Sequence, residues 1–429
     1  MSFYGPKASP QGFVVLFSGE DGINEQDDIA ITRLVDKGML VAAINARVTL
    51  RILGQANLQQ GCVDLSVPLE RLSHTAQADR KFTQYYEPIL LGRDAGGMLV
   101  YAALAQAPAS TFAGGVSVDL SIRMKLARRL CELRTTSVGP DEQRLSPGYR
   151  LAGWWRVTGT HPLTPEVMAF AEATVGANPF SAVQIQGPKT LARLYLDAVG
   201  TPLRGVSQAS AETAAGEAIP LVEVSSDASD DTLAIIFSGS SGWREIDRHL
   251  VDTLKDEGMT VLGIDSFRYF WSKRTPEGVA QDLARIITHY RTNWHVKRVV
   301  LIGYSFGANI LPFAYNRMPS DVQDAIAMMA LLAPQRFASF EIGLGESTTK
   351  PNPVTLVIEP EVSKVDPAKW QCIYAEQDAD DSLCTTEAMK HGEVIQQFGK
   401  LLFDDAKDDD LAKFILSGIE RRALADLRQ

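Results

Sequence analysis

The chain of 429 residues carries one sequence pattern twice, and this repeat restricts the possible folds more than any other feature. The segments Phe17-Ser18-Gly19 and Phe237-Ser238-Gly239 are identical and lie 220 positions apart. Further on, residues 89–96 correspond to residues 300–307 at an offset of 211. Chance similarity does not hold one offset across several blocks, so the sequence predicts a tandem duplication.

Each half alternates short apolar runs with segments of helical spacing. Residues 13–17 and 233–237 are apolar runs typical of buried parallel strands. Residues 28–36 and 247–255 have helical spacing and are followed by glycines that end a helix. This alternation predicts an α/β fold in which each half forms a mostly parallel, doubly wound sheet flanked by helices.

The predicted domain boundary lies in a segment without apolar periodicity. Residues 206–218 are mostly small and polar, which is typical of a linker. We therefore expect one domain over residues 1–205 and a second over residues 219–429. The second domain is expected to begin with a strand at residues 219–224.

Composition excludes several classes of function. The apolar share is 45% and the charged share 22%, as in ordinary globular proteins. The net charge of −10 argues against nucleic-acid binding and against a polybasic membrane dock. No apolar run is long enough to span a membrane, and no Cys/His spacing indicates a metal or other cofactor. The first residues lack the features of a signal peptide, so we expect either a cytoplasmic protein or a chain whose signal has been removed.

One pentapeptide in the second half, Gly303-Tyr304-Ser305-Phe306-Gly307, has the spacing of a nucleophile elbow. It follows the apolar run 299–302 and precedes the helical segment 308–315, which predicts a strand, a sharp turn and a helix. The sequence thus predicts two α/β-hydrolase-like domains with Ser305 as the nucleophile of the second. The alternative is a glycine-rich turn without chemistry. The first half has Asp94 at the equivalent position, where a carboxylate nucleophile is a minor alternative.

The other parts of a serine-hydrolase site are predicted from chain order. Backbone N–H groups of Phe306 and of the turn Gly239-Ser240-Ser241-Gly242 are candidates for the oxyanion hole, and a plain turn is the alternative. The acid should follow the predicted strand 370–374. We prefer Asp381 over Asp378, although any aspartate of this acidic loop could simply be solvated.

No histidine follows the predicted last strand, residues 393–398, where the base should lie. The segment there is Gly399-Lys400-Leu401-Leu402-Phe403, and His391 precedes the strand. Without a base a serine is a weak nucleophile, so we expect weak or absent esterase activity.

Aromatic and basic residues follow the predicted strand that ends at Asp265, at the sheet edge where α/β proteins bind ligands. This mixture suits a phosphate-bearing amphiphile. The alternative is a buried aromatic cluster with solvated basic tips. The predicted substrate-binding residues are Arg268, Tyr269, Trp271 and Arg274.

At this level of detail the chain resembles the bacterial virulence protein family VirJ/AcvB. The resemblance is carried by DSFRYFWSKRTP at 265–276 and LIGYSFGA at 301–308. The first half resembles the amino-terminal part of the longer AcvB form, in YAALAQAP at 101–108 and WWRVTG at 154–159. The resemblance implies a periplasmic α/β-hydrolase fold linked to virulence and type IV secretion. It also implies an enzyme that cleaves the aminoacyl ester of lysyl-phosphatidylglycerol, with Ser305 as nucleophile and Asp381 as acid.

Three departures from the family pattern concern the site. The family's Gly-Gly-His-His-Phe is replaced by the histidine-free segment at 399–403. Its Gly-Asp-Gly-Gly-Trp turn is Gly239-Ser240-Ser241-Gly242-Trp243 here, and Asn309 replaces its usual aspartate. We therefore hold two hypotheses: a hydrolase of an aminoacylated phospholipid or another amphiphilic ester, and a non-catalytic pseudohydrolase that binds ligands or secretion-system components.

Four cysteines divide equally between the halves. Cys372 and Cys384 match the paired cysteines of the family, and the short loop between them allows the chain to return within bonding reach. Pairing of Cys62 with Cys131 is expected only because both lie in the first half. Buried free thiols are the alternative.

Overall fold

The computed structural model describes residues 1–55, 61–108, 111–139, 141–178, 181–183, 189–200, 219–224, 231–243, 245–294, 296–342, 354–397 and 409–426. The chain divides into two compact units, Met1–Gly205 and Val206–Gln429. The predicted linker at 206–218 lies outside the described residues.

The first unit alternates strands and helices along the chain. Its strands are β1 (Ser2–Tyr4), β2 (Gly12–Phe17), β3 (Met39–Ile44), β4 (Ile89–Arg93), β5 (Gly114–Val118), β6 (Arg123–Lys125), β7 (Thr135–Gly139), β8 (Glu142–Leu145), β9 (Trp154–Thr158) and β10 (Ala182–Val183). Its helices are α1 (Glu25–Asp36), α2 (Ala46–Gln55), α3 (Ser66–Asp79), α4 (Ala95–Gln106), α5 (Pro165–Gly176) and α6 (Leu191–Val199).

The second unit has a similar succession of elements. Its strands are β11 (Leu221–Val224), β12 (Thr232–Phe237), β13 (Thr260–Ile264), β14 (Arg298–Tyr304), β15 (Ile326–Leu332), β16 (Phe337–Ala338), β17 (Leu356–Val357), β18 (Trp370–Ala375) and β19 (Glu393–Gln397). Its helices are α7 (Glu245–Asp256), α8 (Ser266–Tyr269), α9 (Pro276–Asn293), α10 (Phe306–Tyr315), α11 (Ser320–Ala325), α12 (Glu359–Val362) and α13 (Asp409–Asp426).

The main sheets of the two units have the same strand order. In the first unit the order is β1-β3-β2-β4-β5-β9-β10, and in the second it is β11-β13-β12-β14-β15-β18-β19. In both sheets the first strand is antiparallel to its neighbour and the remaining pairs are parallel. The predicted fold class, a mostly parallel doubly wound sheet with flanking helices, is confirmed. The antiparallel strand β1 is an element that the sequence pattern did not predict.

Continuous apolar runs make the central strands because helices cover both faces of the sheet. Every residue of β12 is buried. Ile235 and Leu301 belong to the core layer that includes residues of α9 and α10. Ile236 and Ile302 belong to the opposite layer, which includes residues of α7 and α13.

The repeated Phe-Ser-Gly segment has the same structural role in both units. The buried Ser18 Oγ accepts a hydrogen bond from the N–H of Ala46 at 3.1 Å. In the second unit the Ser238 Oγ accepts one from the N–H of Ser266 at 2.9 Å. Each serine thereby fixes the start of the helix that follows the neighbouring strand, at the carboxyl edge of the sheet.

Both predicted disulfide bonds are confirmed. Cys62 is joined to Cys131 with a Cα–Cα distance of 5.1 Å, and Cys372 is joined to Cys384 with a distance of 5.7 Å. Across the described residues, no helix combines the length and apolarity that crossing a membrane requires.

Candidate active site

Ser305 lies at a sharp turn between β14 and α10. Its backbone has φ 49° and ψ −108°, a left-handed conformation that non-glycine residues adopt rarely. Its N–H donates to the carbonyl of Leu332 at 2.8 Å, which joins the turn to β15. The turn therefore has the strained geometry that the motif predicts, with the serine half-buried at the carboxyl edge of the sheet.

The two flanking glycines are required by close backbone contacts. A Cβ atom on Gly303 would lie 2.5 Å from the N of Ala308, and one on Gly307 would lie 2.4 Å from the carbonyl O of Phe237. Neither contact is tolerable for a side-chain carbon. The Gly-x-Ser-x-Gly spacing thus reflects how tightly α10 packs against β12 and β14.

Asp94 occupies the same turn in the first unit. Its φ is 52° and its ψ is −121°, between β4 and α4. One carboxylate oxygen accepts a hydrogen bond from the N–H of Glu20 at 3.2 Å. The two offsets of the repeat match Glu20 to Ser240 and Asp94 to Ser305. In the first unit, therefore, the glycine-rich turn donates a backbone hydrogen bond, from Glu20, to the side chain at the elbow, Asp94.

This geometry bears on the predicted oxyanion hole of the second unit. The turn after β12 closes with a hydrogen bond from the Gly242 N–H to the Gly239 carbonyl, as the first unit's turn closes from Gly22 to Gly19. Ser240 is exposed at the tip of this turn. Phe306 is the first residue of α10, and the first N–H groups of a helix have no acceptor within it. Ser240, which corresponds to Glu20, and Phe306 are therefore candidate backbone donors, and Gly239 is a third candidate because the bond that closes the turn uses its carbonyl and not its N–H.

A different residue lies against the turn in each unit. In the first unit Arg93 donates to Asp21, Asp27 and the Gly22 carbonyl. These ion pairs outweigh the burial of the guanidinium and raise the pKa of Arg93. In the second unit Tyr304 replaces Arg93, and a Cβ on Gly239 would lie 3.2 Å from its ring. Comparison of the two repeats already places Tyr304 opposite Arg93. The contacts of these two residues with the turn are visible only in the structure.

Asn309 links the elbow to the loop that carries the predicted acid. It lies one helical turn after Ser305, and its N–H donates to the Ser305 carbonyl at 3.1 Å. Its buried side-chain oxygen accepts from the N–H of Gln335 at 2.8 Å, and Gln335 forms a β-bridge with Ser382. Sequence reasoning noted Asn309 as a departure from the family pattern but missed this link. The sequence did contain a signal for this link, because Asn309 is a polar residue within the otherwise apolar sequence of α10.

Asp381 lies on this loop, directly before Ser382, and its side chain is exposed. Its N–H donates to the Asp378 carbonyl at 3.2 Å. The disulfide to Cys372 and the hydrogen bond from the Leu383 N–H to the Pro334 carbonyl fix the far side of the loop. The loop therefore follows β18, as predicted for the acid, and Asp381 and Asp378 are both exposed on it.

Two histidines of the second unit have side chains that the structure describes, His289 and His391, and neither forms a hydrogen bond with Ser305. His391 precedes β19 and so lies at the amino edge of the sheet, opposite the elbow. His289 lies near the end of α9, where its ring contacts the Asn293 amide at 3.2 Å. Within the described part of the chain, the Ser305 hydroxyl has no hydrogen-bond partner. The segment 399–403, including the expected base position at Leu401 or Leu402, lies outside the described residues.

The predicted substrate-binding segment is partly core. Tyr269 is 2% exposed, and its hydroxyl donates to the buried Asp282 carboxylate. Burial first, and then Asp282, raise the pKa of Tyr269. The predicted contact of Tyr269 with substrate is wrong for this reason, and the alternative of a buried aromatic cluster describes both Tyr269 and Phe270.

The other three residues of this segment are half-buried. The Arg274 Nε donates to the Tyr269 carbonyl at 3.1 Å, so this arginine fixes the segment to its own core. The ring of Trp271 packs against Phe267, and the N–H of Arg268 donates to Asp265 at 3.0 Å. Arg268 and Trp271 thus remain candidates for ligand contact.

Comparison with known proteins gives one family match. The model of the family described as bacterial virulence protein (VirJ) matches residues 231–423. No curated protein matches the chain.

Three of the solved structures that the chain resembles are Est1E from Butyrivibrio proteoclasticus with bound ferulic acid, a lipase-esterase related protein from Clostridium acetobutylicum and MenH from S. aureus. The respective identities are 13%, 14% and 11%, and the TM-scores are 0.34, 0.36 and 0.36. The matches cover 49%, 46% and 47% of this chain and 97%, 98% and 98% of the other chains. At these TM-scores the similarity carries no functional argument.

Proposed function

We propose that the second unit, in which residues 231–423 match the model of the VirJ family of bacterial virulence proteins, is a serine-hydrolase-type protein of the periplasm. Its substrate class is an aminoacyl ester of a phospholipid, of which lysyl-phosphatidylglycerol is the example that the family suggests. The observation that carries the proposal is the strained elbow at Ser305, since a non-glycine residue with positive φ at the end of a central strand is typical of a functional site.

In the proposed reaction the Ser305 Oγ attacks the ester carbonyl and the amino acid becomes bound to the serine. The phospholipid leaves as its free alcohol after taking up the proton lost by Ser305. The N–H groups of Ser240 and Phe306 stabilise the negative charge on the carbonyl oxygen. Water then cleaves the acyl-serine and releases the amino acid.

The negative charge of the acid loop supports a substrate whose acyl group is positively charged. Four acidic side chains of this loop are exposed: Glu376, Asp378, Asp380 and Asp381. A lysyl ester carries two amines, which such a loop would attract. The exposed acids would thus favour a lysyl ester over a neutral acyl ester.

The two disulfide bonds support the periplasmic location, because disulfides persist in oxidising compartments. In a reducing cytoplasm both pairs would be open. The location therefore fits the redox state of the cysteines.

The proposed turnover is slow, because no histidine follows β19 in the sequence. General-base assistance contributes about 10²–10⁴ in rate, and its loss is the main reason for the slow turnover that we propose. The same observation favours a second candidate: a pseudohydrolase that binds the ligand without cleaving it, for example as an accessory of type IV secretion.

A fluorophosphonate probe separates the two candidates, because it modifies only an activated serine. The hydrolase proposal predicts slow, saturable labelling of the native protein, located at Ser305 by peptide mass spectrometry. The Ser305→Ala variant is the matched control and should remain unlabelled. Absence of labelling in the native protein after prolonged exposure would contradict the hydrolase and favour the pseudohydrolase.

A further inference from the structure

The charge of the chain is divided unevenly between its halves. Residues 1–205 contain 20 Lys or Arg and 18 Asp or Glu, whereas residues 206–429 contain 22 and 34. The acidic character of the whole chain therefore belongs to the second half. The first unit therefore has a slight net positive charge, which is compatible with a basic membrane-binding surface.

Helix α2 presents a basic and aliphatic face to solvent. Arg47, Val48, Arg51 and Ile52 are all exposed. Arg47 and Arg51, like Val48 and Ile52, are four positions apart, so the basic pair and the aliphatic pair form two adjacent rows along the helix. Val48 is 38% exposed and Ile52 is 58% exposed. Leu50, at 6% exposure, anchors the opposite side, and the helix contains no acidic residue.

A second basic segment lies beside this helix. A methyl group on Gly54 would lie 3.9 Å from the Leu126 Cδ1 and 4.0 Å from the Ala127 N, so the end of α2 packs on residues 126–127. Basic side chains flank this contact on β6 and just after it. They are Arg123, Lys125 and Arg129, which are exposed, and Arg128, which is half-buried. Together with the four α2 residues, they form what we call the basic–aliphatic face.

Most charges of this face lack an internal counterion. Lys125 pairs with Glu20 at 3.1 Å, and both side chains are exposed, so salt weakens the pair. None of the five arginines at 47, 51, 123, 128 and 129 forms an ion pair with a residue that the structure describes. An uncompensated basic cluster of this kind attracts anionic partners.

We propose that the basic–aliphatic face docks the first unit on the surface of an anionic phospholipid bilayer. The arginines would bind lipid phosphates with paired N–H groups. Val48 and Ile52 would enter the boundary between headgroups and acyl chains, as the apolar face of an interfacial helix does. A nucleic acid would use the same charges but would leave the two aliphatic side chains exposed to water. The proposal concerns the first unit and does not depend on turnover at Ser305.

Sedimentation with vesicles tests the proposal. The full-length protein should bind vesicles of phosphatidylglycerol and phosphatidylcholine at low salt, bind less at high salt, and not bind phosphatidylcholine alone. Arg47→Glu with Arg51→Glu should weaken binding by at least about 25-fold, since each basic residue near an anionic surface contributes about fivefold. Val48→Ser with Ile52→Ser should weaken binding without changing its salt dependence.

A matched control uses another exposed pair of the same unit. Ile29 and Arg33 lie on α1, are both exposed and have the same spacing as Val48 and Ile52. Ile29→Ser with Arg33→Glu should bind vesicles like the native protein. All of these variants change exposed residues, and their folding is checked by circular dichroism.

Three results would overturn the proposal. These are no binding of the native protein to anionic vesicles, equal binding by the face variants and the native protein, and binding to single-stranded DNA but not to vesicles.

Discussion

At the scale of single residues, two side chains 211 positions apart have the same strained backbone conformation. Ser305 and Asp94 both have φ near +50°, and glycines two positions before and after each of them permit the turn. Such strain persists only where the surrounding structure enforces it. In the first unit the carboxylate of Asp94 accepts a hydrogen bond from the Glu20 N–H. The protein's own carboxylate thus occupies the position that a substrate oxyanion would take. In the second unit, by contrast, the Ser305 hydroxyl at the elbow has no hydrogen-bond partner among the described residues.

The tight contact behind the elbow predicts a large effect of a single methyl group. Gly307→Ala places a carbon 2.4 Å from the Phe237 carbonyl O, which belongs to a central strand and cannot move alone. We expect the free energy of unfolding of the second unit to fall by about 2–3 kcal/mol in urea titration. Gly278→Ala is the control, because its nearest atom at 3.3 Å is the Thr275 Oγ1, which belongs to a side chain. Equal stability of the two variants would contradict the close packing.

A buried carboxylate predicts a pH-dependent stability. Burial acts to raise the pKa of Glu361, but hydrogen bonds from Asn316, Arg317 and Lys364 outweigh it and lower this pKa. A carboxyl with a lowered folded-state pKa stabilises the fold above its ordinary pKa of about 4.5, and this contribution is lost as the pH falls through the lowered value. Glu361→Gln should therefore cost about 1–2 kcal/mol at pH 7, and the cost should shrink below pH ~4.5.

Unfolding in urea at several pH values measures this difference. The control is Glu387→Gln, since Glu387 is exposed and its ion pair is with the exposed Lys390. Its stability should equal that of the native protein at every pH. A Glu361→Gln deficit that stays constant from pH 7 to pH 3 would show that the carboxylate charge is not what stabilises α12 against α10.

At the scale of elements, short connections bring the parts of the site to one sheet edge. The elbow after β14, the glycine-rich turn after β12 and the acid loop after β18 all lie at carboxyl ends of parallel strands. Asn309 and the Cys372–Cys384 disulfide fasten the acid loop to the elbow helix and to β18. The acid loop is therefore held at both ends although its acidic side chains are exposed.

Removal of this disulfide should loosen the acid loop. Cys372→Ser with Cys384→Ser opens a short loop, for which the chain-entropy model gives a loss of about 3 kcal/mol. We expect the melting temperature to fall and protease cleavage to begin within residues 376–386. Cys62→Ser with Cys131→Ser is the matched control, because it should destabilise the first unit without exposing this loop. Cleavage at the same loop in both variants would contradict the assignment.

At the scale of the whole molecule, the duplication is the feature from which most of the fold could be predicted. Constant offsets and apolar runs predicted the parallel sheets, the elbow and its flanking glycines, because these depend on local patterns. Contacts between distant side chains were not predictable in this way. The burial of Tyr269 against Asp282, the Arg93 ion pairs and the Asn309 link each join elements far apart in sequence, and only the fold brings them together.

We propose that residues 1–205 and 219–429 are independently folding domains joined by the linker 206–218. Calorimetry of the full chain should then show two transitions. The Cys62/Cys131 double variant should lower only one of them, and the Cys372/Cys384 double variant only the other. A single transition that shifts as a whole in both variants would contradict independent folding.

The central claim is that Ser305 is the reacting residue of a hydrolase site that lacks its histidine. The most direct test is the release of lysine from lysyl-phosphatidylglycerol by the native protein, Ser305→Ala and Leu402→His, measured by mass spectrometry. We predict slow release by the native protein, no release above background by Ser305→Ala and faster release by Leu402→His. Equal release by the native protein and Ser305→Ala would contradict the claim. No native release, with release gained in Leu402→His, would instead identify the protein as a pseudohydrolase.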